Sequence, residues 1–173
     1  MSSKIIVFGG GCFWGVQAAF DLLSGVTQTA VGYCGGETHN PTYEEVCSKS
    51  TGHIEVVKIS YDQDIIRLDD LLELFFRIHN PTQTNGQGND IGPQYMSAIF
   101  YNDESDFSEV NKFIEKRQKE INAPIVTSVN KLDVFYTAEQ YHQKYLDKNP
   151  TGYCHINMME VKDFLEKANY RLK

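Results

Sequence analysis

Cys12 is the residue whose type and position most directly suggest chemistry, because it follows three glycines at the start of a predicted helix. A glycine-rich turn leaves backbone N–H groups pointing outward at a helix N-terminus, and the positive end of the helix dipole favours an anion there. The position therefore predicts a Cys12 thiol with a lowered pKa. The segment lacks the Gly-Lys-Ser/Thr of a phosphate loop, and Trp14 breaks the dinucleotide-binding glycine pattern. The alternative is a small buried cysteine that only fills the junction between strand and helix.

Two further features could complete a site around this sulfur. Phe13 and Trp14 follow it directly and could form an apolar pocket, although such a pair could also simply pack into the core. Glu55 shares one face of a predicted strand with Val57 and Ile59, since side chains alternate along a strand. A carboxyl group there is desolvated, so its pKa rises and it stays protonated near neutral pH, as a general acid requires. The alternative is an edge strand on which Glu55 reaches solvent.

Tyrosine hydroxyls are the third candidate group, because they can donate a hydrogen bond to a polarised oxygen without carrying charge. Tyr43 lies in a short predicted helix, and Tyr95 follows a long polar loop that contains Asp90. The chain has ten tyrosines, so any one of them could equally be structural.

Cys154 is a candidate for a second redox-active thiol, because it lies on a loop between two predicted helices where the chain can move. Such a thiol can attack an oxidised cysteine and form a disulfide. Cys34 and Cys47 are rival candidates, although each lies in or beside a regular element. An idle thiol is the alternative for all three.

The elements that must position these residues are predicted in the order β-α-β-β-α-β over residues 4–101. Apolar residues at helical spacing favour one helix after Cys12, up to a stop at Gly25, and a clearer one at Leu68, Leu71, Leu72 and Phe75. The strands are predicted at 4–8, 27–33, 53–61 and 95–101. This order is typical of the α+β class, as a two-layer, ferredoxin-like (split βαβ) mixed sheet with helices on one face.

The remaining segments complete the predicted fold. Thr42 and Glu45 are placed for a capping box, and the short helix that they begin should end at Gly52. We expect a helix from Phe107 to Ile121, a long strand or hairpin over 124–136, a helix over 138–148 and a terminal helix from Glu160 with a poorly tied tail. The chain is expected to form a single catalytic domain, 1–173, in which 155–173 is a C-terminal extension with the terminal helix.

The composition excludes several classes of partner. The chain has 173 residues, of which 41% are hydrophobic, and carries a net charge of −7 at pH 7. An acidic surface repels phosphate backbones, so we expect no nucleic-acid partner. No apolar run reaches the roughly 20 residues that cross a bilayer, so we expect no membrane partner. The N-terminus lacks a signal-cleavage pattern, and we expect a cytoplasmic location, where cysteines stay reduced.

The four cysteines contain no Cys-x-x-Cys pair, and the five histidines are not spaced around them as zinc ligands are. No metal site is therefore expected, and no metal or organic cofactor is implied. Nothing in the sequence indicates more than a monomer.

The chain resembles the A-type peptide methionine sulfoxide reductases in an ordered set of motifs. The first is Gly-Cys-Phe-Trp-Gly at 11–15, which is moderately specific alone, and the set in this order is very specific. The others are Gly-Tyr-Cys-Gly-Gly at 32–36, Asn-Pro-Thr-Tyr-Glu-Glu-Val-Cys at 40–47, Thr-Gly-His-Ile-Glu-Val at 51–56, Gln-Gly-Asn-Asp-Ile-Gly at 87–92 with Gln-Tyr at 94–95, and Ala-Glu-Gln-Tyr-His-Gln-Lys-Tyr-Leu at 138–146. Met96 and Pro93 depart from the family pattern in the polar loop.

The resemblance implies reduction of the S-epimer of methionine sulfoxide, free or in proteins. It implies that Cys12 attacks the sulfoxide sulfur and that Glu55 protonates the sulfoxide oxygen. Tyr43 and Tyr95 would donate hydrogen bonds to that oxygen, and Asp90 would act through a bound water. Phe13 and Trp14 would hold the S-methyl group of the substrate. It further implies that Cys154 resolves the sulfenic acid as a disulfide, which thioredoxin or another dithiol reduces.

Three other functions remain open from the residues. A cysteine hydrolase would need His53 or His142 within hydrogen-bond reach of Cys12 as its base. A thiol peroxidase would turn over peroxide faster than sulfoxide. A non-catalytic module would bind oxidised methionine without releasing methionine.

Overall fold

The computed structural model describes residues 2–173, which fold around one six-stranded sheet. The strands are β1 (Ser3–Gly9), β2 (Val26–Cys34), β3 (Ile54–Asp62), β4 (Gly86–Gln87), β5 (Asp90–Ile91), β6 (Ala98–Tyr101), β7 (Ser128–Lys131) and β8 (Tyr136–Thr137). The helices are α1 (Phe13–Phe20), α2 (Tyr43–Cys47), α3 (Leu68–Ile78), α4 (Glu104–Gln118), α5 (Tyr145–Lys148) and α6 (Met158–Lys167). No helix in this part of the chain is long and apolar enough to span a membrane.

The sheet has the strand order β7-β6-β1-β3-β2-β8, and the short strands β4 and β5 form a separate hairpin. All neighbouring strands are antiparallel except β6 and β7, which run parallel. The central order β6-β1-β3-β2, with α1 and α3 as its crossovers, is the ferredoxin-like arrangement. The predicted α+β class and mixed sheet are therefore confirmed.

The main core lies between the sheet and the helices α1 and α3. Phe8 of β1 stacks on Phe75 of α3 at a ring-centroid distance of 4.4 Å and lies 5.5 Å from Phe20 of α1. The opposite face of the sheet carries a smaller apolar cluster, which includes Val7 and Cys34. Because adjacent residues of a strand point to opposite faces, Phe8 and Val7 belong to different clusters.

The ends of α1 and of the chain differ from the prediction. The helix ends at Phe20 instead of continuing to Gly25, and Leu23 forms a β-bridge with Leu172. The Lys173 N–H also donates to the Leu22 carbonyl oxygen at 2.9 Å. Backbone pairing therefore ends the helix early and holds a tail that was expected to be loose.

The short helix α2 has its predicted capping box, with Thr42 and Glu45 each bonded to the other's backbone N–H. It ends at Cys47 and not at Gly52. The polar loop that follows α3 contains the β4–β5 hairpin and a 3₁₀ turn, Pro93–Tyr95. The last central strand begins at Ala98, so Tyr95 lies in that turn and not in the strand.

Two predictions for the last third of the chain are wrong. Residues 124–136 form no hairpin, because β7 pairs with β6 at one edge of the sheet and β8 pairs with β2 at the other. Residues 138–148 form no continuous helix, because Lys144 has a left-handed φ of 55° between a 3₁₀ turn, Gln140–His142, and α5.

The side chain of Gln143 explains that interruption. Its amide oxygen accepts from the Val31 N–H at 3.0 Å, and its amide nitrogen donates to the Val31 carbonyl at 2.9 Å. The nitrogen also donates to the Ala138 carbonyl at 3.1 Å. The side chain thus acts as a peptide group that extends the β8 pairing along β2, and it fixes the segment that follows.

We expect Gln143→Ala to lower the free energy of unfolding by about 1–3 kcal/mol, because the Val31 N–H loses its partner in a half-buried position. Urea titration followed by circular dichroism measures the change. The matched control is Gln140→Ala, since that side chain is exposed, and its effect should stay within about 0.5 kcal/mol. Equal effects of the two changes would contradict this role of Gln143.

Candidate active site

Cys12 is the N-cap residue of α1 and lies directly after a glycine turn. Gly11 has φ +95°, a left-handed conformation that favours glycine. A Cβ atom at Gly11 would also lie only 2.7 Å from Nε2 of His155. The turn therefore needs glycine for both its backbone and its packing. It presents the Cys12 side chain with 8% of its surface exposed.

The lowered pKa predicted for the Cys12 thiol is wrong. Burial raises its pKa well above the ordinary value, and the nearby carboxyl groups of Glu55 and Asp90 raise it further. A hydrogen bond from the Trp14 backbone lowers it, but this contribution is smaller. Desolvation therefore outweighs the helix N-terminus, and Cys12 is a neutral thiol in this state.

Glu55 is buried on β3, with 1% of its surface exposed, as predicted from strand alternation. The Phe13 N–H donates to its Oε1 at 3.2 Å, whereas Oε2 has no hydrogen-bond partner. Burial raises the pKa of this carboxyl group to about 8, and Asp90 adds to the effect. The burial and the raised pKa agree with the predicted protonated carboxyl group, which has one oxygen held by α1 and the other without a partner.

Tyr43 and Tyr95 both lie close enough to Glu55 for its charge to raise the pKa of each phenol, although burial is the larger cause. Both side chains are half-buried. The hydroxyl groups stay protonated and can donate hydrogen bonds. The structure thus brings the two predicted tyrosines to the same carboxyl group, one from α2 and one from the 3₁₀ turn.

Glu139, which sequence reasoning missed, holds Tyr43 in place. Its Oε2 accepts from the Tyr43 N–H at 2.8 Å, and its Oε1 accepts from the Tyr33 hydroxyl at 2.8 Å. These hydrogen bonds outweigh burial and lower the pKa of Glu139, so it is a carboxylate. Its position in a segment predicted to be helical gave no signal of this role.

Phe13 and Trp14 have different environments. Phe13 is buried among Tyr33, Tyr43 and His142, at ring-centroid distances of 5.8, 6.4 and 5.2 Å. Trp14 is half-buried and stacks on Tyr145 at 3.7 Å with an interplanar angle of 8°. Phe13 thus belongs to the hydrophobic core and also lies beside Glu55. The orientation of the Trp14 ring is fixed by its stacking on Tyr145.

His142 fixes the other edge of Trp14. The indole Nε1–H donates to Nδ1 of His142 at 2.9 Å, so the neutral imidazole carries its proton on Nε2. That Nε2 atom is buried and has no partner. Burial lowers the pKa of His142, which favours the neutral ring.

Asp90 lies on the short hairpin beside the site. The Tyr153 hydroxyl donates to its Oδ2 at 2.8 Å, and its charge raises the pKa values of Cys12 and Glu55. The structure therefore places Asp90 at the predicted site. It also ties the hairpin to the segment that contains Cys154.

Cys154 packs on the first turn of α1. A Cβ atom at Gly15 would lie 3.0 Å from its sulfur, and an ionised Cys154 would raise the pKa of Cys12. Its thiol donates to the Ile156 carbonyl at 3.2 Å. Cys34 instead lies in the cluster on the opposite face of the sheet, while Cys47 is a neighbour of Tyr43 on α2. Cys154 is thus a neighbour of Cys12 and Cys34 is not.

His53 is not available as a base for Cys12. Its Nδ1 accepts from the Gly36 N–H at 3.0 Å, and its Nε2 donates to the Thr38 carbonyl at 2.7 Å. Both ring nitrogens are therefore used by the backbone. Within residues 2–173, no group of histidine, cysteine and acidic side chains could hold a metal ion.

Known proteins are similar to this chain in both sequence and fold. A family model described as peptide methionine sulfoxide reductase matches residues 4–173. The peptide methionine sulfoxide reductase MsrA of Clostridium acetobutylicum is 50% identical over 153 residues, which are 88% of this chain and 94% of that protein.

Two solved structures of Mxr1 from Saccharomyces cerevisiae are also similar. The reduced form matches with a TM-score of 0.85 and 38% identity, over 88% of this chain and 89% of that chain. The complex of Mxr1 with Trx2 matches with a TM-score of 0.61 and 28% identity, over 83% of this chain and 85% of that one.

The raised pKa of Glu55 predicts how stability depends on pH. Between its ordinary value of 4.5 and about 8 the folded state keeps the proton and the unfolded state loses it. The stability that this proton contributes is present at low pH and is lost as pH rises, by at most about 1.4 kcal/mol per pH unit. Glu55→Gln has no such proton, so its stability relative to the native chain should increase from pH 5 to about 8 and then level off.

Urea unfolding at a series of pH values tests this expectation. Glu44→Gln is the matched control, because Glu44 is exposed and on the neighbouring helix α2. Its curve should run parallel to that of the native chain. A parallel curve for Glu55→Gln as well would show that Glu55 is ionised in the folded protein.

Proposed function

The chain belongs to the peptide methionine sulfoxide reductase family and is a thiol-dependent enzyme that reduces methionine sulfoxide; within that reaction, we propose that Cys12, Glu55 and Cys154 carry the three chemical roles. Cys12 is the nucleophile, Glu55 the proton donor and Cys154 the resolving thiol. The proposal rests mainly on one observation. A buried, protonated carboxyl group lies beside the thiol, with one oxygen held by the Phe13 N–H and the other unpartnered.

The first step transfers the sulfoxide oxygen to Cys12. The Cys12 sulfur attacks the sulfoxide sulfur while Oε2 of Glu55 protonates the oxygen, since protonation neutralises the negative charge that develops there. In the adduct the hydroxyl group passes from the substrate sulfur to the Cys12 sulfur, and the bond between the two sulfurs breaks. Methionine leaves with that bonding pair, and Cys12 becomes a sulfenic acid that carries the oxygen. The thiol proton of Cys12 returns to Glu55, so the carboxyl group ends the step as it began.

The surrounding side chains have binding roles. Tyr43 and Tyr95 donate hydrogen bonds to the sulfoxide oxygen as charge develops on it. Asp90 acts through a bound water. Phe13 and Trp14 form the wall that holds the S-methyl group, and the fixed orientation of Trp14 on Tyr145 supports selection of the S-epimer.

The second step regenerates the thiol of Cys12. Cys154 attacks the sulfenic sulfur, a disulfide forms, and the oxygen leaves as water. Thioredoxin or another dithiol then reduces the disulfide, and the solved complex of Mxr1 with Trx2 supports thioredoxin as this partner. The substrates are free methionine sulfoxide and oxidised proteins.

The remaining features of this enzyme follow the same proposal. Residues 1–173 act as one catalytic domain and as a monomer. The reaction needs no metal or organic cofactor, since thiols supply its two electrons. The proposed location is the cytoplasm, where thiols are kept reduced.

Glu55→Gln should slow methionine release in a single turnover by about 100- to 10,000-fold, because the amide cannot supply the proton. Its carbonyl oxygen can still accept from the Phe13 N–H, so the site keeps its shape. Rapid quench with the S-epimer of N-acetyl-methionine sulfoxide measures the rate. Glu44→Gln, on exposed Glu44, should react at the native rate. A Glu55→Gln rate within a few-fold of native would exclude Glu55 as the acid.

Cys154→Ser should release one methionine per enzyme from the S-epimer without added reductant, and should then fail to turn over with thioredoxin. The native chain should release one methionine and lose two thiols. Cys12→Ser should release none with either epimer. Cys34→Ser is the matched control, because Cys34 lies on the opposite face of the sheet, and it should recycle normally. Normal recycling by Cys154→Ser would overturn the role of Cys154.

A further inference from the structure

His155 lies on the glycine turn beside Cys12. Its Nε2–H donates to the Gly10 carbonyl oxygen at 3.0 Å. A Cβ atom at Gly15 would meet Nδ1 of His155 at 3.4 Å and the sulfur of Cys154 at 3.0 Å. Nδ1 of His155 and the thiol of Cys154 therefore both lie beside Gly15 of α1, which leaves room for them because it has no side chain.

The hydrogen bond to Gly10 fixes which nitrogen of His155 carries the proton. A carbonyl oxygen can only accept, so Nε2 is the donor and Nδ1 of the neutral ring has a free lone pair. Nδ1 is buried and has no hydrogen-bond partner. Burial also lowers the pKa of His155, which keeps the ring neutral and able to accept a proton.

Cys154 needs such an acceptor. Its thiol donates to the Ile156 carbonyl oxygen at 3.2 Å, so this S–H proton must be removed before the sulfur can attack. A thiolate is the form that attacks an oxidised sulfur. When the Cys154 side chain rotates away from Ile156 towards Cys12, a base must take its proton.

We propose that His155 is the general base of the disulfide-forming step, and that its Nδ1 takes the Cys154 thiol proton as this sulfur attacks the sulfenic sulfur of Cys12. The inference rests on the proposed resolving role of Cys154. One S–S bond forms and the S–O bond of the sulfenic acid breaks. The proton held by His155 passes to the departing hydroxide, which leaves as water, so no outside oxidant or reductant is required.

The charged surroundings of His155 bear on its proton affinity. The ring faces Asp90, whose charge raises the pKa of His155, and His79 at the end of α3, while the thiol of Cys154 lies beside it. It also borders a surface cavity lined by further charged side chains, namely Arg77, Arg117, Glu160, Asp163 and Lys167.

The test is His155→Gln, whose side-chain amide can still donate to the Gly10 carbonyl but has no basic nitrogen. Rapid quench without reductant follows two events in one experiment, methionine release and loss of the second thiol. We expect methionine release at the native rate and loss of the second thiol slowed about 100-fold or more at neutral pH. His39→Gln changes an exposed histidine and should alter neither event.

A pH series separates a base from a structural support. Without a base the thiolate forms only by ionisation in water, so the rate of second-thiol loss in His155→Gln should rise with pH and approach the native rate in alkaline solution. A slow rate that stays the same at high pH would overturn the proposal. In His155→Ala, added imidazole should restore the rate, and the absence of any restoration would count against a base.

The outcomes distinguish this proposal from the one on which it rests. If Cys154→Ser loses recycling while His155→Gln loses its second thiol at the native rate, Cys154 is the resolving thiol and His155 is not its base. If Cys154→Ser recycles normally, both assignments fail. A melting curve for each His155 variant shows that the rates are those of folded protein.

Discussion

The hydrogen bond from the Phe13 N–H to Glu55 is the contact on which the site depends. It joins the first turn of α1 to the middle of β3, and so sets the distance between the thiol at the helix start and the carboxyl group on the sheet. Glu55 is buried, and in the described part of the chain the Phe13 N–H is the only hydrogen-bond donor to its carboxyl group. Burial keeps this carboxyl group protonated at neutral pH, although the Phe13 N–H bond by itself lowers its pKa. The bond therefore fixes the geometry of the site, and burial fixes the protonation state.

Glycines allow the other segments of the site to pack close to Cys12. The glycine turn and Gly15 leave room on α1 for the segment that contains Cys154 and His155, which lies far away along the chain. Glu139 and Gln143 hold the intervening segment by binding backbone groups of α2 and β2. Packing and hydrogen bonds thus bring four segments close to the Cys12 thiol, namely β3, α2, the polar loop and the segment of Cys154. No disulfide joins any of residues 2–173 in this state.

Local patterns predicted much of this arrangement and missed what depends on distant contacts. Strand alternation predicted the burial of Glu55, and the capping pair Thr42–Glu45 predicted the start of α2, because both signals lie within a few residues. The interruption at Lys144 and the roles of Glu139 and His142 depend on partners far away along the chain. The pKa of Cys12 was predicted in the wrong direction for a related reason. The helix N-terminus is visible in the sequence, whereas desolvation by distant side chains is not.

The raised pKa of Cys12 is consistent with the reaction once charge is considered across the whole step. Sulfoxide and thiol are both neutral, and so are their products, methionine and sulfenic acid. Beside a protonated carboxyl group and neutral phenols, the step therefore creates no new net charge in the buried site, and burial costs the reactants little. A hydrolase would instead need a stable imidazolium–thiolate pair, which this degree of desolvation opposes. The burial that makes Cys12 a poor thiolate is thus what suits the site to a neutral oxygen transfer, with Glu55 supplying a proton only as negative charge develops on the oxygen.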